Sequence, residues 1–252
     1  MPTRAIIRQP GPAFVDGLTS AHLGKPDWSL ALRQHGQYQR ALERAGLEVT
    51  VLSTEPDFPD CPFVEDTAVV TAQGAVITNP GAPSRNGEQR SVRSVLAQFL
   101  SLVDILPPGT LDGGDVLRIE DRFVIGLSQR TNRQGAGQLA NHLRQWGYES
   151  ECLEVGDMLH LKSGVNYIGR GNLLVTRALA DQPLFASLHR VLVDDEEAYA
   201  ANSIFVHGTL LLPAGFPRVQ AALGLLGYSI VTLDLSEFRK VDGGMTCLSV
   251  LF

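Results

Sequence analysis

No apolar run in this 252-residue chain approaches the roughly 18 residues that a membrane span requires. The most apolar stretch, residues 95–106, is interrupted by Gln98, Ser101 and Asp104. The opening MPTRAIIRQPGP has neither a long apolar core nor a small-residue cleavage site, so it does not read as a secretion signal. Cysteine is scarce. Cys61, Cys152 and Cys247 are far apart, odd in number and form no CxxC pair, which excludes a disulfide framework and points to a reducing, cytoplasmic setting. A basic excess is also missing. With 21 Lys and Arg against 27 Asp and Glu, the net charge of −6 argues against nucleic acid as a partner, because a binder needs cations to replace phosphate counterions. It does not argue against a small cationic substrate. There is no Walker motif, no HExxH and no GxSxG, and the six histidines show no metal spacing. GRGNLL (169–174) carries two glycines of a dinucleotide fingerprint but falls on a hairpin turn, so it is discounted. What is present, 44% hydrophobic and 19% charged residues, describes a folded globular chain.

The chain repeats itself. Five segments open near Phe63, Leu111, Leu159, Ala200 and Gly243, at steps of 48, 48, 41 and 43 residues. Each opens with polar residues at the start of a short apolar strand. In four of them a tight turn and a second strand follow: AVV-TAQG-AVIT, VLRI-ED-RFVIG, NYIG-RG-NLLVT and SIFV-HG-TLLLP. Alternation and short Gly- or Asp-bearing links predict hairpins. Helix-period segments come next. Leu139, Leu143 and Trp146 form one apolar stripe, as do Ala31, His35, Tyr38 and Leu42. Gly46, Gly147 and Gly227 each stand between a helix and a new strand, where a left-handed residue is needed. The unit therefore reads strand, strand, helix, strand. The fifth copy has only GGMTCLSVLF at the C-terminus, and its missing strand RAII, helix 28–45 and strand LEVTVL are at the N-terminus. Joining the chain ends would close a ring of five units and leave no free sheet edge. The alternative is an open α/β layer with accidental spacing.

The polar residues that open the units are the candidates for chemistry: Glu65 and Asp66, Asp112 and Asp115, His160, Asn202, and Cys247. Pseudo-symmetry would bring a thiol, an imidazole and several carboxylates to a common axis, and triads are recognised by spatial role rather than chain order. Each has a plainer reading. Cys247 could be a buried hydrophobe, His160 a satisfied core residue, and Asp112 and Asp115 the brace of the Gly113–Gly114 turn. Matching placement in several units favours function, since buried charge without a purpose is costly. Arg85 and Arg130 each follow a second strand and suit carboxylate capture, or are solvated loop charges.

The segments LTSAHLGKPD (18–27), DCPFVEDTAVV (60–70), TLDGGDV (110–116), GLSQRTN (126–132), LHLKS (159–163), AANSIF (200–205) and KVDGGMTCLSV (240–250) resemble the dimethylarginine dimethylaminohydrolases. These belong with arginine deiminases and amidinotransferases among the guanidino-group-modifying enzymes. The resemblance implies a single catalytic domain over residues 1–252, folded as a five-unit α/β propeller. It implies hydrolysis of an Nω-methylated arginine to citrulline and a methylamine through a covalent thiouronium on Cys247. His160 would be the acid–base and Asp112 its orienting partner. Asp66 would clamp the guanidinium, supported by Glu65. Arg85 and Arg130 would hold the α-carboxylate, and Asp60 with the carbonyls of Leu18 and Val241 the α-amino group. No metal and no other cofactor is expected. The expected partner is a small guanidino amino acid, without nucleic acid or membrane, and a homodimer stands as an open expectation. Deiminases carry an acid two residues beyond the catalytic histidine, whereas Lys162 stands there, which matches the dimethylaminohydrolase branch. The remaining alternatives are a deiminase-like hydrolase of another guanidino compound and a non-catalytic amino-acid-binding module.

Overall fold

The computed structural model describes residues 1–252. After the first strand, β1 (Arg4–Arg8), comes helix α1 (Trp28–Arg44), and then β2 (Glu48–Leu52), which lies parallel to β1. Asp27 caps α1 by accepting from the Leu30 N–H at 2.9 Å. Ala31, His35, Tyr38 and Leu42 are all buried, as the stripe predicts.

Four further copies of this plan follow. The first has β3 (Ala68–Val70), β4 (Ala75–Ile77), α2 (Gln89–Leu96) and β5 (Leu102–Asp104). The second has β6 (Val116–Ile119), β7 (Arg122–Leu127), α3 (Arg133–Gln145) and β8 (Glu149–Glu154). The third has β9 (Val165–Tyr167), β10 (Asn172–Thr176), the short α4 (Arg177–Ala180) and β11 (His189–Val193). The fourth has β12 (Ile204–Val206), β13 (Thr209–Pro213), α5 (Pro217–Leu225) and β14 (Ser229–Leu233), then α6 (Ser236–Arg239). In each, the first two strands are antiparallel and the third is parallel to the second. A parallel partner needs a crossover, and the helix supplies it. The fifth sheet joins the chain ends: β15 (Val250–Leu251) runs antiparallel to β1, with Ala5 opposite Leu251. Gly46, Gly147 and Gly227 take φ of 91°, 84° and 74°, the left-handed exits expected of them. Gly169, Arg170 and Gly171 sit on the β9–β10 turn at positive φ, so GRGNLL is a hairpin link.

Two expectations need correction. The five sheets stay separate, three strands each, so no sheet closes on itself and free edges remain. The units join through their faces instead. Five apolar clusters are each shared by two units: one and two, two and three, three and four, four and five, and five and one. The outer strand β8 covers its edge with exposed glutamates, as edge strands commonly do. The second correction concerns the opening polar residues. They sit not on the strands but in or immediately beside 3-10 turns just ahead of them, at Val64–Thr67, Gly113–Asp115, Leu161–Ser163, Asp195–Ala201 and Thr246–Leu248, with Asp112, His160 and Asn202 at the turn ends. A turn aims side chains and amides along the chain, which strand pleating would send to alternate faces. No helix is long and apolar enough to cross a membrane.

Candidate active site

The five inner turns are laced together by their own polar groups. Gly114 N–H donates to Asp66 Oδ1 at 2.9 Å, and Leu161 N–H to Asp115 Oδ1 at 2.9 Å. Asn202 donates to the Lys162 carbonyl at 3.1 Å and accepts from Thr246 N–H at 2.8 Å. Thr246 Oγ1 then donates to Glu65 Oε2 at 2.7 Å, returning to the first turn. This lacing separates residues that look alike in sequence. Asp115 is structural: besides Leu161 it accepts from Ser128 Oγ at 2.6 Å. Asp112 is not the turn brace that it could have been. Its Oδ1 accepts from Gly81 N–H at 2.8 Å, and its Oδ2 meets His160 Nε2 at 3.0 Å. Asn202 is a clamp between turns.

A cavity of about 390 Å³ opens beside these turns, large enough for an amino-acid-sized ligand. Glu65, His160, Lys162, Asn202 and Cys247 line it, together with Ser20, Ala21 and Leu23 of the 18–26 loop. That loop is tied down by Thr19 Oγ1 on the Lys240 carbonyl at 2.8 Å and by Ser20 N–H on Asp242 at 2.5 Å. Thiol, imidazole and carboxylate thus converge from units five, three and one. Asp66 and Asp112 stand behind His160, and its Nε2 also lies 3.9 Å from Asp66 Oδ1. Gly114 is required here by close approach, since a Cβ at that position would lie 2.7 Å from His160 Nδ1 and 2.9 Å from Asp66 Oδ1.

The charges set the protonation states. Burial opposes charging of His160, but the Asp66 carboxylate, the Asp112 hydrogen bond and the Asp115 charge outweigh it and push the imidazole up to about 9. It is an imidazolium at neutral pH. Burial likewise opposes ionisation of Asp66, but the His160 and Arg85 charges and the Arg85 and Gly114 hydrogen bonds hold it at about 2. Cys247 goes the other way. Burial, then the Glu65 and Asp66 charges, push its thiol well above the ordinary cysteine range, against the pull of the Gly244 N–H at 3.2 Å and of Lys162. The cavity wall therefore holds a neutral thiol and an imidazolium. Asp66, Asp112 and His160 offer one ligand atom each within 4.8 Å of one another, so a divalent ion could bind there only after His160 gave up its proton.

The other predicted residues form a second group. Leu18 N–H donates to Asp60 Oδ1 at 3.0 Å. A Cβ on Gly17 would stand 3.0 Å from that oxygen and 3.4 Å from a Val241 methyl, so Leu18, Asp60 and Val241 meet. Burial raises the Asp60 carboxyl, opposed chiefly by Arg85, the Leu18 N–H and Arg130. Arg85 is buried, donating Nη1 to Asp66 Oδ2 at 2.5 Å, and Arg130 Nη1 lies 3.9 Å from Asp112 Oδ2. Neither arginine lines the cavity; they stand against Asp66 and Asp112, the two acids behind His160. Three partners escaped sequence reasoning. Lys162 pairs with Glu65 at 2.6 Å, Thr246 donates to the same carboxylate, and Glu88 backs Arg85 at 2.8 Å. The spacing of Glu88 three residues after Arg85 was the one local signal available.

Residues 52–178 match the family profile described as Arginine deiminase. The chain is 41% identical over 249 residues to the N(G),N(G)-dimethylarginine dimethylaminohydrolase of Pseudomonas aeruginosa, with 98% of each chain covered. It is 38% identical to the enzyme of the same name from Streptomyces coelicolor, covering 99% of this chain and 97% of that one. A solved structure of DDAH from Pseudomonas aeruginosa, a cysteine-to-serine mutant in complex with citrulline, superposes with a TM-score of 0.98 at 40% identity, with both chains fully covered.

Proposed function

Because this chain belongs to the dimethylarginine dimethylaminohydrolase family, we propose that it hydrolyses Nω-methylated L-arginine to L-citrulline and a methylamine. The observation that carries the reading is the cavity itself. Four units meet there: Cys247, His160 and Glu65 line it, with Asp112 and Asp66 directly behind the imidazole.

A guanidinium resists attack because its charge is delocalised. Asp66 and Glu65 would orient and localise that charge. The bound cation offsets the carboxylates that keep the Cys247 thiol neutral, so the thiol gives its proton to solvent and the thiolate forms when substrate is present. Sγ attacks the central carbon, and His160, already an imidazolium, gives its proton to the departing amine. The neutral imidazole then takes one proton from water as its oxygen adds to the thiouronium carbon; collapse of the adduct breaks the C–S bond, and the remaining hydroxyl proton is lost as Cys247 takes up a proton to return to the thiol, leaving citrulline. Asp112 keeps the ring oriented through Nε2. At the other end Arg85 and Arg130 would hold the α-carboxylate, with Asp60 and the Leu18 and Val241 carbonyls on the α-amino group. No step of this scheme calls on a metal or cofactor.

The proposal extends to the architecture. A single domain over 1–252, arranged as a five-unit propeller, is supported by the cyclic sharing of apolar clusters and the lacing of the inner turns. A cytoplasmic setting is supported by three cysteines that stand free. A homodimer is the assembly to look for by sedimentation. Arginine itself is the second substrate to consider, favoured by the deiminase profile match. A citrulline assay on arginine, monomethylarginine and dimethylarginine tests the whole reading. Release from the methylated forms is expected, and no release from any of them refutes it.

A further inference from the structure

Glu88 is a buried acid that the reaction above leaves idle. It precedes α2 and has no exposed surface. Its Oε2 accepts from both Arg85 Nε at 3.0 Å and Arg85 Nη2 at 2.8 Å, while its enclosed Oε1 has no partner at all. Its backbone is pinned on both sides. The N–H donates to the Arg85 carbonyl at 3.2 Å, and the carbonyl accepts from Arg8 Nη2 at 3.1 Å. Arg8 is itself fully buried and pairs with Glu55 at 3.1 Å.

A guanidinium has five N–H groups. On Arg85, Glu88 takes the Nε hydrogen and one on Nη2, the Phe63 carbonyl takes the other Nη2 hydrogen at 2.8 Å, and Asp66 takes one on Nη1. A single N–H of Nη1 is left uncommitted. Without Glu88 the Nε hydrogen would have no acceptor and only the Phe63 and Asp60 carbonyls, at 2.8 and 3.5 Å from Nη2, would hold that edge, so Arg85 could turn it toward Asp66 or toward an incoming carboxylate.

Resting on the hydrolase reading, we propose that Glu88 is a positioning residue: by holding the Nε–Nη2 edge of Arg85, it fixes Nη1 on Asp66 and reserves one N–H for the substrate α-carboxylate. The same arrangement tolerates the arrival of a second anion. Burial raises the Glu88 carboxyl to about 7 against the Arg85 charge and its hydrogen bonds, with Asp60 and Asp66 adding to the rise. The partnerless Oε1 can take a proton without breaking either bond to Arg85. The groups facing Glu88 are Arg85, Asp60 and Asp66 on the pocket side, and Arg8, Glu55 and the Cys61 thiol behind it.

The test compares the intact protein with Glu88→Gln and Glu88→Asp. Citrulline release is measured from Nω,Nω-dimethylarginine and the formation of the corresponding ureido product from its decarboxylated analogue. At pH 8.5, Glu88→Gln should raise KM for the amino acid about tenfold, as expected for losing one charge-assisted pair, with kcat within about twofold. The decarboxylated analogue should change little. At pH 6 the variant and the wild type should converge, because the Glu88 carboxyl is then mostly protonated and, like the amide that replaces it, carries no charge. Glu88→Asp, which keeps the charge, should keep the pH dependence, and it carries the test if Glu88→Gln melts early. A KM ratio independent of pH, or equal losses on both substrates, would overturn the proposal. If the wild type releases no citrulline, the hydrolase reading fails on its own. The exchange of the Arg85 Nε–H with solvent, read by NMR, still decides the positioning role. Slow exchange that quickens in Glu88→Gln supports the anchor, and equal exchange overturns it.

Discussion

The inner turns of units one to three and the inner turn of unit four hold corresponding places in the fold but do different work. The first three present Glu65, Asp66, Asp112 and His160, all buried, with His160 3.0 Å from Asp112 and 3.9 Å from Asp66, and Glu65 paired with Lys162. The fourth presents Asn202, whose amide ties Lys162 to Thr246 and carries no charge. The scaffold repeats, and the chemistry does not. A neutral clamp next to a dense set of charges keeps the ring of turns together without adding another ion to desolvate, which would be costly.

The sharpest way to break this contrast is at the nucleophile. Cys247→Ser should lower citrulline release on the order of 10⁴-fold or more, since triad members act as a unit. Cys61→Ser and Cys152→Ser should stay near wild type, as neither lines the cavity. Next in size is Asp112→Asn, expected to cost about 10²- to 10⁴-fold in kcat by freeing the ring, and to bring the His160 imidazolium below its present value near 9 in an NMR titration. An unchanged titration would return Asp112 to a purely structural role.

Substrate choice comes third. Lys162, paired with Glu65 at 2.6 Å, stands where deiminases carry a further acid, so the site has one fewer carboxylate for the guanidinium. An unmethylated guanidinium is left under-satisfied by about 1–3 kcal/mol per unpaired donor, or roughly 5- to 150-fold in kcat/KM. Methylated arginines should therefore be preferred, and equal kcat/KM values would move the chain toward the deiminases.

Two smaller effects concern stability. His160 titrates higher in the fold, at about 9, than its ordinary 6.5, so its stabilisation is complete below pH 6.5 and is lost as pH rises through about 9. Thermal melting of wild type should fall between pH 7 and 9.5 more steeply than that of His160→Gln. Asn202→Ala should cost about 1–3 kcal/mol by leaving the Thr246 N–H unpaired, read as an earlier melt with KM changed far less than stability.

Much of this was legible in the sequence because the repeat carried it. The hairpins, the glycine exits and the split fifth unit follow from short-range pattern, and β15 pairs with β1 where the missing parts implied. The register of the site was harder. Asp112 and Asp115 are three residues apart in one motif, and their pattern alone does not tell them apart; the structure does, pairing Asp112 with the His160 imidazole and Asp115 with Leu161 N–H and Ser128. Glu88, Lys162 and Thr246 were missed as partners because their contacts are made across units or beneath the surface, where no period reports them. The free sheet edges were misjudged because closure through apolar faces leaves the same sequence trace as closure through strand pairing.

In the proposed reaction Cys247 is a neutral thiol before substrate binds and becomes the covalent nucleophile when a guanidinium is bound. Rapid quenching of the protein with Nω,Nω-dimethylarginine, followed by mass spectrometry of its peptides, tests this directly. The account predicts a transient adduct on the peptide containing Cys247, formed with amine release and decaying as citrulline appears. Citrulline formed at full rate with no adduct on that peptide, or with the adduct on Cys61 or Cys152, would contradict it.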